Sequence, residues 1–395
     1  MPFQQTKNTN QGGVIIIQIL LALAMKMLGN HKVLTDTESA QLDSLRGVSA
    51  IAVIFGHANQ LLVAPTFDKA SIYFGLLAQS AVMVFFVLSG FLIAKSISKN
   101  IDRNAGSFSI WQYINDRALR IIPALIFSSL LIFTFYMISS LIFPSGTNQF
   151  MPSVYNELSR TGLQFNLGQT LKSLLFMNGF YSVTPDANGP LWSLSIEVWY
   201  YALAALVVIF FRKPLILIFA LIIFARVALP NKSFFIYLPI WFTGFLICYL
   251  HDRDSLPSLR VLKFITLICF TIVICAGINA FLNPQSITYF NLSVGLLFGS
   301  LLTLLLQDEF KFTTFFEPAA KYSYTLYIVH MPIFLFIFGT LQTKVQGSIF
   351  RSVALAIIAI LIAIMFSAIF ARWVENKVAI KSLIKRLTKG AMVRA

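Results

Sequence analysis

The sequence has few charged residues. Only 11% of its 395 residues are Asp, Glu, Lys or Arg, whereas a soluble globular protein carries about 25%. This charge content excludes a soluble enzyme, because a chain that is 57% hydrophobic cannot hide its apolar side chains inside one water-facing globule. It also excludes an intrinsically disordered chain, which requires low hydrophobicity and a high density of charge.

Cysteine is scarce as well, with only Cys248, Cys269 and Cys275. All three lie in apolar stretches, and none forms a CxxC pair or stands beside a histidine at metal-ligand spacing. They are therefore predicted to be small apolar core residues. Neither a disulfide scaffold nor a metal site is predicted.

The sequence is rich in apolar runs near 20 residues, which is the length that a helix needs to cross a ~30 Å hydrocarbon core. These runs predict an all-α polytopic membrane protein with about ten transmembrane helices and no soluble domain. The predicted segments are 48–65, 72–94, 118–143, 191–211, 214–230, 234–250, 261–282, 290–306, 323–340 and 350–372. The longest polar connection, 144–190, is long enough to have a function of its own.

The basic residues are distributed unevenly between the two sides of these segments. With the N-terminus placed in the cytoplasm, the inside connections hold 23 of the 30 Lys and Arg residues. Cytoplasmic loops of membrane proteins carry such an excess, so both termini are predicted to be cytoplasmic. The formal net charge of +15 is thereby explained by topology, and no nucleic-acid partner is predicted.

The chain is predicted to consist of three parts. Residues 1–41 form an N-terminal extension whose apolar run, 14–25, is short for a membrane span and is predicted to be an interfacial helix. Residues 42–376 form the membrane domain. Residues 377–395 form a cytoplasmic tail with six basic residues, which we expect to lie against anionic membrane lipid.

Ionisable groups inside a membrane are costly and are therefore functional candidates. His57 follows Arg46 by eleven positions, which places both on one helix face ~16 Å apart along the axis. Asp43 lies near the same face. This stripe is a candidate path for a substrate. Alternatively, Arg46 is a lipid-boundary anchor and His57 bonds a backbone carbonyl.

Glu197 in the fourth segment is predicted to lie at the depth of His57. A carboxylate there would fix the tautomer of the imidazole and stabilise its protonated form, which is the base-and-orienter arrangement of acyl transfer. The alternative is a structural bond from Glu197 to Ser193 or to a tryptophan indole such as that of Trp192.

Two pairs of residues stand out on the predicted cytoplasmic side. Arg117 and Arg120 are at i and i+3 on one helical face and would make a phosphate fork, or they are ordinary positive-inside anchors. Ser89 and Gly90 are candidates for substrate contact, although such a pair also permits two helices to pack closely.

The ninth segment carries a polar ladder of Ser323, Tyr327 and His330, with Tyr324 beside it. His330 is predicted in the inner half of the membrane, too far away to meet the substrate of His57. The residues expected to bind the acceptor or to be structural are Asp43, Trp192, Ser193, Tyr324, Tyr327 and His330.

Four blocks of sequence, in this order, resemble the acyltransferase-3 family of integral membrane acyltransferases, and the resemblance extends over 43–375. The blocks are 42–47 with His57, 85–93 with Arg117 and Arg120, 191–197 with the aromatic residues 199–201, and 323–330 with Pro332. The resemblance implies a bacterial inner-membrane enzyme that moves an acyl group from cytoplasmic acyl-CoA to a hydroxyl of an extracytoplasmic glycan or lipid-linked saccharide, as in O-antigen or exopolysaccharide modification. Some members of the family act on small molecules instead.

The resemblance also implies roles for single residues. Acyl-CoA, with acetyl as the expected group, would dock on Arg117 and Arg120 near Ser89 and Gly90, and no bound cofactor is expected. His57 would act as a general base, or would itself be acylated transiently. Because the sequence ends soon after its last apolar segment, we expect either direct transfer or a separate extracytoplasmic transferase as partner.

Two other classes of protein remain open on the sequence. One is a proton-coupled carrier or flippase of lipid-linked sugars, with His57 and Glu197 as the proton relay. The other is an inactive subunit of a glycan-synthesis complex. The carrier would work without acyl-CoA, and the subunit would tolerate loss of His57.

Overall fold

The computed structural model describes residues 32–376, 378 and 380–382. The predicted interfacial helix at 14–25 and most of the predicted tail at 377–395 lie outside the described residues. The division of the chain into three parts stays a prediction.

The described part of the chain folds into twelve α-helices and no β-strand, which confirms the all-α prediction. The helices are α1 (Asp36–Ala58), α2 (Ser71–Arg103), α3 (Ile110–Ile142), α4 (Leu167–Leu174), α5 (Leu191–Phe210), α6 (Pro214–Ala228), α7 (Lys232–His251), α8 (Leu259–Leu282), α9 (Ile287–Leu305), α10 (Glu317–Ala320), α11 (Ser323–Val345) and α12 (Ile349–Val374).

Each of the ten predicted segments falls on one of the ten longer helices. Eight of these helices, within the described residues, are long and apolar enough to cross a membrane, so the protein is a multi-pass membrane protein. The other two are α6, which has only 15 residues, and α1, whose first half is polar.

Helix α1 has a well-defined start and an unusual end. Thr35 and Glu38 form a reciprocal capping box at its N-terminus, which satisfies two backbone donors that a helix start leaves unpaired. After Ala58 the chain continues as a π-helical turn over Asn59–Val63. Such turns are frequent at functional sites, and this one directly follows His57.

The helices pack around two apolar clusters. One is formed mainly by α2, α5, α7 and α9, and the other mainly by α1, α3, α11 and α12. We call the side of the bundle where α1 begins the arginine side, because Arg46, Arg117 and Arg120 lie there. The opposite side is the histidine side, after His57 in the last turn of α1.

The 143–190 connection covers the histidine side and enters the bundle. Asn156 Nδ2 bonds the carbonyl of Ala64 just beyond α1, and Asn188 Nδ2 bonds the carbonyl of Ile328 inside the bundle. Asn188 is fully buried. Irregular backbone at membrane depth is tolerated where protein surrounds it. Helix α5 therefore begins inside the bundle rather than at its surface.

Candidate active site

One cavity on the arginine side brings together residues from all four sequence blocks. Its cavity volume is about 80 Å³. The candidate residues that line it are Arg46, Ser89, Arg117, Arg120, Ser193, Glu197, Ser323, Tyr324 and Tyr327. The sequence predicted most of this set but not that all of them share one cavity.

The three arginines give this cavity its charge. Arg46 Nη1 bonds Asp43 Oδ1 at 2.7 Å. Arg117 Nη2 bonds Ser96 Oγ at 2.8 Å, while its buried Nε has no partner. Arg120 has no hydrogen-bond or ion-pair partner among the described residues. Unsatisfied guanidinium donors facing a cavity can hold phosphate or another anion.

Glu197 lies in this cavity and does not bond His57, so the predicted pairing of Glu197 with His57 is wrong. Its carboxylate accepts a short hydrogen bond from the Tyr201 hydroxyl. The Tyr201 ring in turn lies 6.0 Å from the Arg117 guanidinium. The depth of Glu197 was misjudged because α5 begins inside the bundle, which carries this residue toward the arginine side.

Gly90 does not line the cavity and instead allows α2 to pack against α7. A Cβ added to Gly90 would overlap the carbonyl oxygen of Trp241, and one added to Gly244 would overlap that of Val87. Close approach at small residues is typical of helix pairs in membranes. The prediction of substrate contact for Gly90 is therefore replaced by a packing role, whereas the neighbouring Ser89 does face the cavity.

Two further candidate residues also lie outside the cavity wall. Trp192 packs its ring edge-on against Phe86, with ring centroids 6.3 Å apart, so it belongs to the apolar core. Asp43 is the ion-pair partner of Arg46 and holds the guanidinium in place. The acceptor contacts predicted for Trp192 and Asp43 have no support in this geometry.

Glu375 stabilises the arginine-side start of α11. Its carboxylate accepts hydrogen bonds from the backbone N–H of Thr325 at 2.9 Å and from the Thr325 hydroxyl at 2.5 Å. Burial raises the pKa of the Glu375 carboxyl, although the Thr325 bonds and the charges of Arg120 and Arg46 oppose the shift. Glu375 thus ties the end of α12 to the start of α11.

A septum of three side chains closes the inner end of the cavity. The hydroxyls of Ser193 and Tyr327 lie 2.6 Å apart, and Phe85 packs edge-on against the Tyr327 ring with centroids 5.8 Å apart. All three line the cavity. On its other side the Tyr327 ring lies 6.2 Å from the ring of His330. The septum therefore separates the cavity from the histidines.

His57 and His330 form a directly bonded pair. His57 Nδ1 lies 2.9 Å from His330 Nε2, and the two rings stack with centroids 5.1 Å apart. The prediction that His330 is too far from His57 is wrong. Gly47 of α1 is level with Phe316 and Ala319, which precede α11. From this common level, each histidine lies about three helical turns further toward the histidine side.

The hydrogen bonds of this pair decide its proton arrangement. His330 Nδ1 lies 2.9 Å from the carbonyl oxygen of Leu326, and a carbonyl only accepts, so this nitrogen carries the proton. In a neutral ring Nε2 of His330 is then the acceptor, and His57 Nδ1 is its donor. The lone pair of His57 Nε2 is thereby left as the base of the pair.

Tyr201 and Arg160 are additional candidates that the sequence reasoning missed. Tyr201 follows Glu197 by four positions, a spacing at which helical side chains meet, so that contact was recognisable. Arg160 lies in the 143–190 connection, where nothing in the sequence pattern distinguishes it. No group of three or more His, Cys, Asp or Glu side chains within the described residues is placed to hold a metal ion.

The apolar helix bundle, the arginine-lined cavity and the His57–His330 pair together have the features expected of a membrane-embedded enzyme. Comparison with known families makes the class specific, because a family model described as "Acyltransferase domain" matches residues 39–372. This match covers most of the chain. The chain therefore belongs to the acyltransferase-3 family of membrane proteins.

Similarity to individual proteins is more limited. An uncharacterized protein of Haemophilus influenzae is 32% identical over 135 residues, which are 33% of this chain and 49% of that protein. The chain therefore aligns with about half the length of this relative. No solved structure matches the chain.

Proposed function

We propose that this protein transfers an acyl group, acetyl by expectation, from cytoplasmic acyl-CoA to a hydroxyl of an extracytoplasmic glycan or lipid-linked saccharide. The observation that carries this proposal is the alignment of an arginine-lined cavity with the His57–His330 pair through a single septum. We assign the arginine side to the cytoplasm in this proposal, since the predicted inside connections hold 23 of the 30 Lys and Arg residues and cytoplasmic loops carry such an excess. The setting is the bacterial inner membrane.

In this proposal the arginine cavity receives the donor. Arg117 and Arg120, whose side chains line the cavity, bind the phosphates of acyl-CoA, and Arg46 stands further along the wall. The acyl-bearing arm passes Ser89 and reaches the septum at Tyr327. Displacement of the Ser193–Tyr327 hydrogen bond lets the thioester approach the histidine pair.

The histidine pair performs the proton transfer. The acceptor hydroxyl arrives from the histidine side and gives its proton to His57 Nε2 as its oxygen attacks the acyl carbonyl carbon. His330 accepts a hydrogen bond from His57 Nδ1–H, which orients the ring and stabilises the imidazolium. His330 thus takes the orienting role that the sequence assigned to Glu197. Glu197 instead positions Tyr201 beside Arg117.

Mass spectrometry of surface glycans tests the proposal. Cells that lack the protein receive the wild type, His57→Ala or Gln60→Ala at equal membrane levels. Gln60 is exposed and lies one turn beyond His57, which makes it a matched control. An acyl mass shift with the wild type and Gln60→Ala alone supports the proposal and identifies the acceptor. Restoration of the shift by His57→Ala contradicts it.

A second experiment addresses the donor. Arg117→Ala is expected to raise the KM for acyl-CoA in membrane vesicles, and added salt is expected to raise the wild-type KM because the contact is electrostatic. Lys263→Ala, at an exposed lysine paired with Glu309, is the control. Movement of saccharide across the membrane without acyl-CoA would favour a carrier instead.

A further inference from the structure

Arg160 lies on the histidine side of the bundle, where two backbone carbonyls hold its guanidinium. Its Nη1 bonds the carbonyl of Ser159 at 2.6 Å and its Nε bonds that of Asp186 at 3.2 Å. Its Nη2 has no hydrogen-bond partner among the described residues, and a Cβ on Gly189 would lie 3.0 Å from it. The same Cβ would lie 3.8 Å from Met331, the neighbour of His330.

The anchoring of the connection fixes Arg160 in this position. Phe150 N bonds the carbonyl of Thr161 at 2.8 Å, and Leu163 is fully buried. Ser153 Oγ bonds the carbonyl of Pro65 beyond the π-helical turn. Arg160 is thus a half-buried cation on a braced segment that is tied to the end of α1.

Within the described residues, Arg160 forms no ion pair with a carboxylate. Its positive charge acts on His57. Glu197, the carboxylate predicted there, is bonded to Tyr201. A guanidinium close to a base that must become imidazolium opposes protonation of that base unless an anion stands between them.

We propose that Arg160 is a catalytic residue whose guanidinium stabilises the oxyanion of the tetrahedral intermediate beside His57. This inference rests on the proposed function. The acceptor oxygen bonds to the acyl carbon, its proton passes to His57 Nε2, and the carbonyl π pair moves onto the carbonyl oxygen, which faces Arg160. When the intermediate collapses, the carbon–sulfur bond breaks and the coenzyme A thiolate takes the proton from His57.

This role explains the imbalance of charge at the site. The oxyanion forms only during the reaction, so in the resting protein a cation prepared for it has no anionic partner among the described residues. Donors fixed in advance around a developing oxyanion are among the largest contributors to catalysis. The backbone carbonyls of Ser159 and Asp186 hold the guanidinium without neutralising it.

The test compares Arg160→Ala, Arg160→Lys and Lys172→Ala in purified protein in nanodiscs supplied with acetyl-CoA. Lys172 is an exposed lysine in the same connection, so its loss removes one positive charge away from the histidines. Two rates are measured. One is the hydrolysis of acetyl-CoA by water, and the other is acetyl transfer to the saccharide that the glycan mass spectrometry identifies. Thermal unfolding of each variant confirms that it is folded.

We expect Arg160→Ala to lower kcat for both hydrolysis and transfer by about 10²- to 10³-fold, with the KM for acetyl-CoA unchanged. Arg160→Lys should recover part of kcat, and Lys172→Ala should match the wild type. Gly189→Ala, whose Cβ would press on Arg160 Nη2, should lower kcat less, and should have no further effect in the Arg160→Ala background.

Two results would overturn the inference. One is an unchanged kcat in Arg160→Ala. The other is a loss confined to transfer with normal hydrolysis, which would show that Arg160 binds a permanent anionic group of the acceptor. Failure of the proposed function is distinguishable, because then the wild-type protein itself neither hydrolyses acetyl-CoA nor transfers its acetyl group.

Discussion

Replacing His330 with alanine removes the acceptor of the His57 Nδ1–H hydrogen bond while leaving His57 in place. In the resting protein this bond joins two neutral rings. In the proposed reaction His57 becomes positively charged when it takes the proton of the acceptor hydroxyl, and the bond becomes charge-assisted. The substitution should therefore reduce kcat far more than it reduces donor binding, because the arginine cavity lies on the other side of the septum.

The size of the effect follows from the 2.9 Å separation of the two nitrogens, which is a well-formed hydrogen bond. A hydrogen bond to a charged group contributes about 1.5–3 kcal/mol. If the transition state loses all of this stabilisation, kcat decreases by about 10- to 150-fold. His330→Gln places an amide oxygen near the lost acceptor and should recover most of the rate.

The assay is steady-state acyl transfer from acyl-CoA in nanodiscs, with kcat and KM determined separately. Phe334→Leu is the matched control, since its ring packs 5.7 Å from the His330 ring but carries no polar atom. It should lose stability without a comparable loss of kcat. Equal kcat values for His330→Ala and Phe334→Leu would refute the tautomer argument and reduce His330 to a packing residue.

Three other predictions concern the frame of the site. Gly90→Ala should lower the unfolding temperature in detergent because its Cβ overlaps a carbonyl of α7, whereas Gly75→Ala, with open space around it, should match or slightly exceed the wild type. Burial raises the pKa of the Glu375 carboxyl above its ordinary value of 4.5, so the folded protein binds the proton of this carboxyl more tightly than the unfolded chain does. The free energy of unfolding therefore falls as the pH rises from about 4.5 through the raised pKa. Glu375→Gln should remove this part of the decrease in stability. Curves of stability against pH that run parallel for the variant and the wild type between pH 4 and 8 would contradict the prediction. Glu197→Gln and Tyr201→Phe should be non-additive in the KM for acyl-CoA, and a double-mutant cycle with no coupling would exclude their joint action.

The sequence predicted the helices better than the contacts between them. Apolar runs near 20 residues identify membrane helices because the bilayer imposes their length, so every predicted segment corresponds to a helix. The common face of Arg46 and His57 was also predictable, since both lie on one regular helix. Arg46 lines the cavity, and His57 meets α11.

Depth across different helices was harder to predict. The sequence reasoning counted the depth of Glu197 from an assumed membrane surface, and the loop at 186–190 invalidates that assumption by entering the bundle. For this reason the predicted partner of His57 was wrong. Glu197 was expected beside it, whereas the structure has His330 there. Only long-range contacts, such as that of Asn188 with the Ile328 carbonyl, fix the relative level of two helices.

The septum of Ser193, Tyr327 and Phe85 has a consequence for the energy supply of the cell. A membrane that stores a proton gradient cannot contain an open aqueous channel, yet the proposed reaction carries an acyl group from one compartment to the other. With the donor cavity closed by the septum and the histidine side covered by the 143–190 connection, the two compartments stay sealed from each other. In the proposed reaction, one acyl group would therefore cross the protein per turnover without opening a path through which protons could leak.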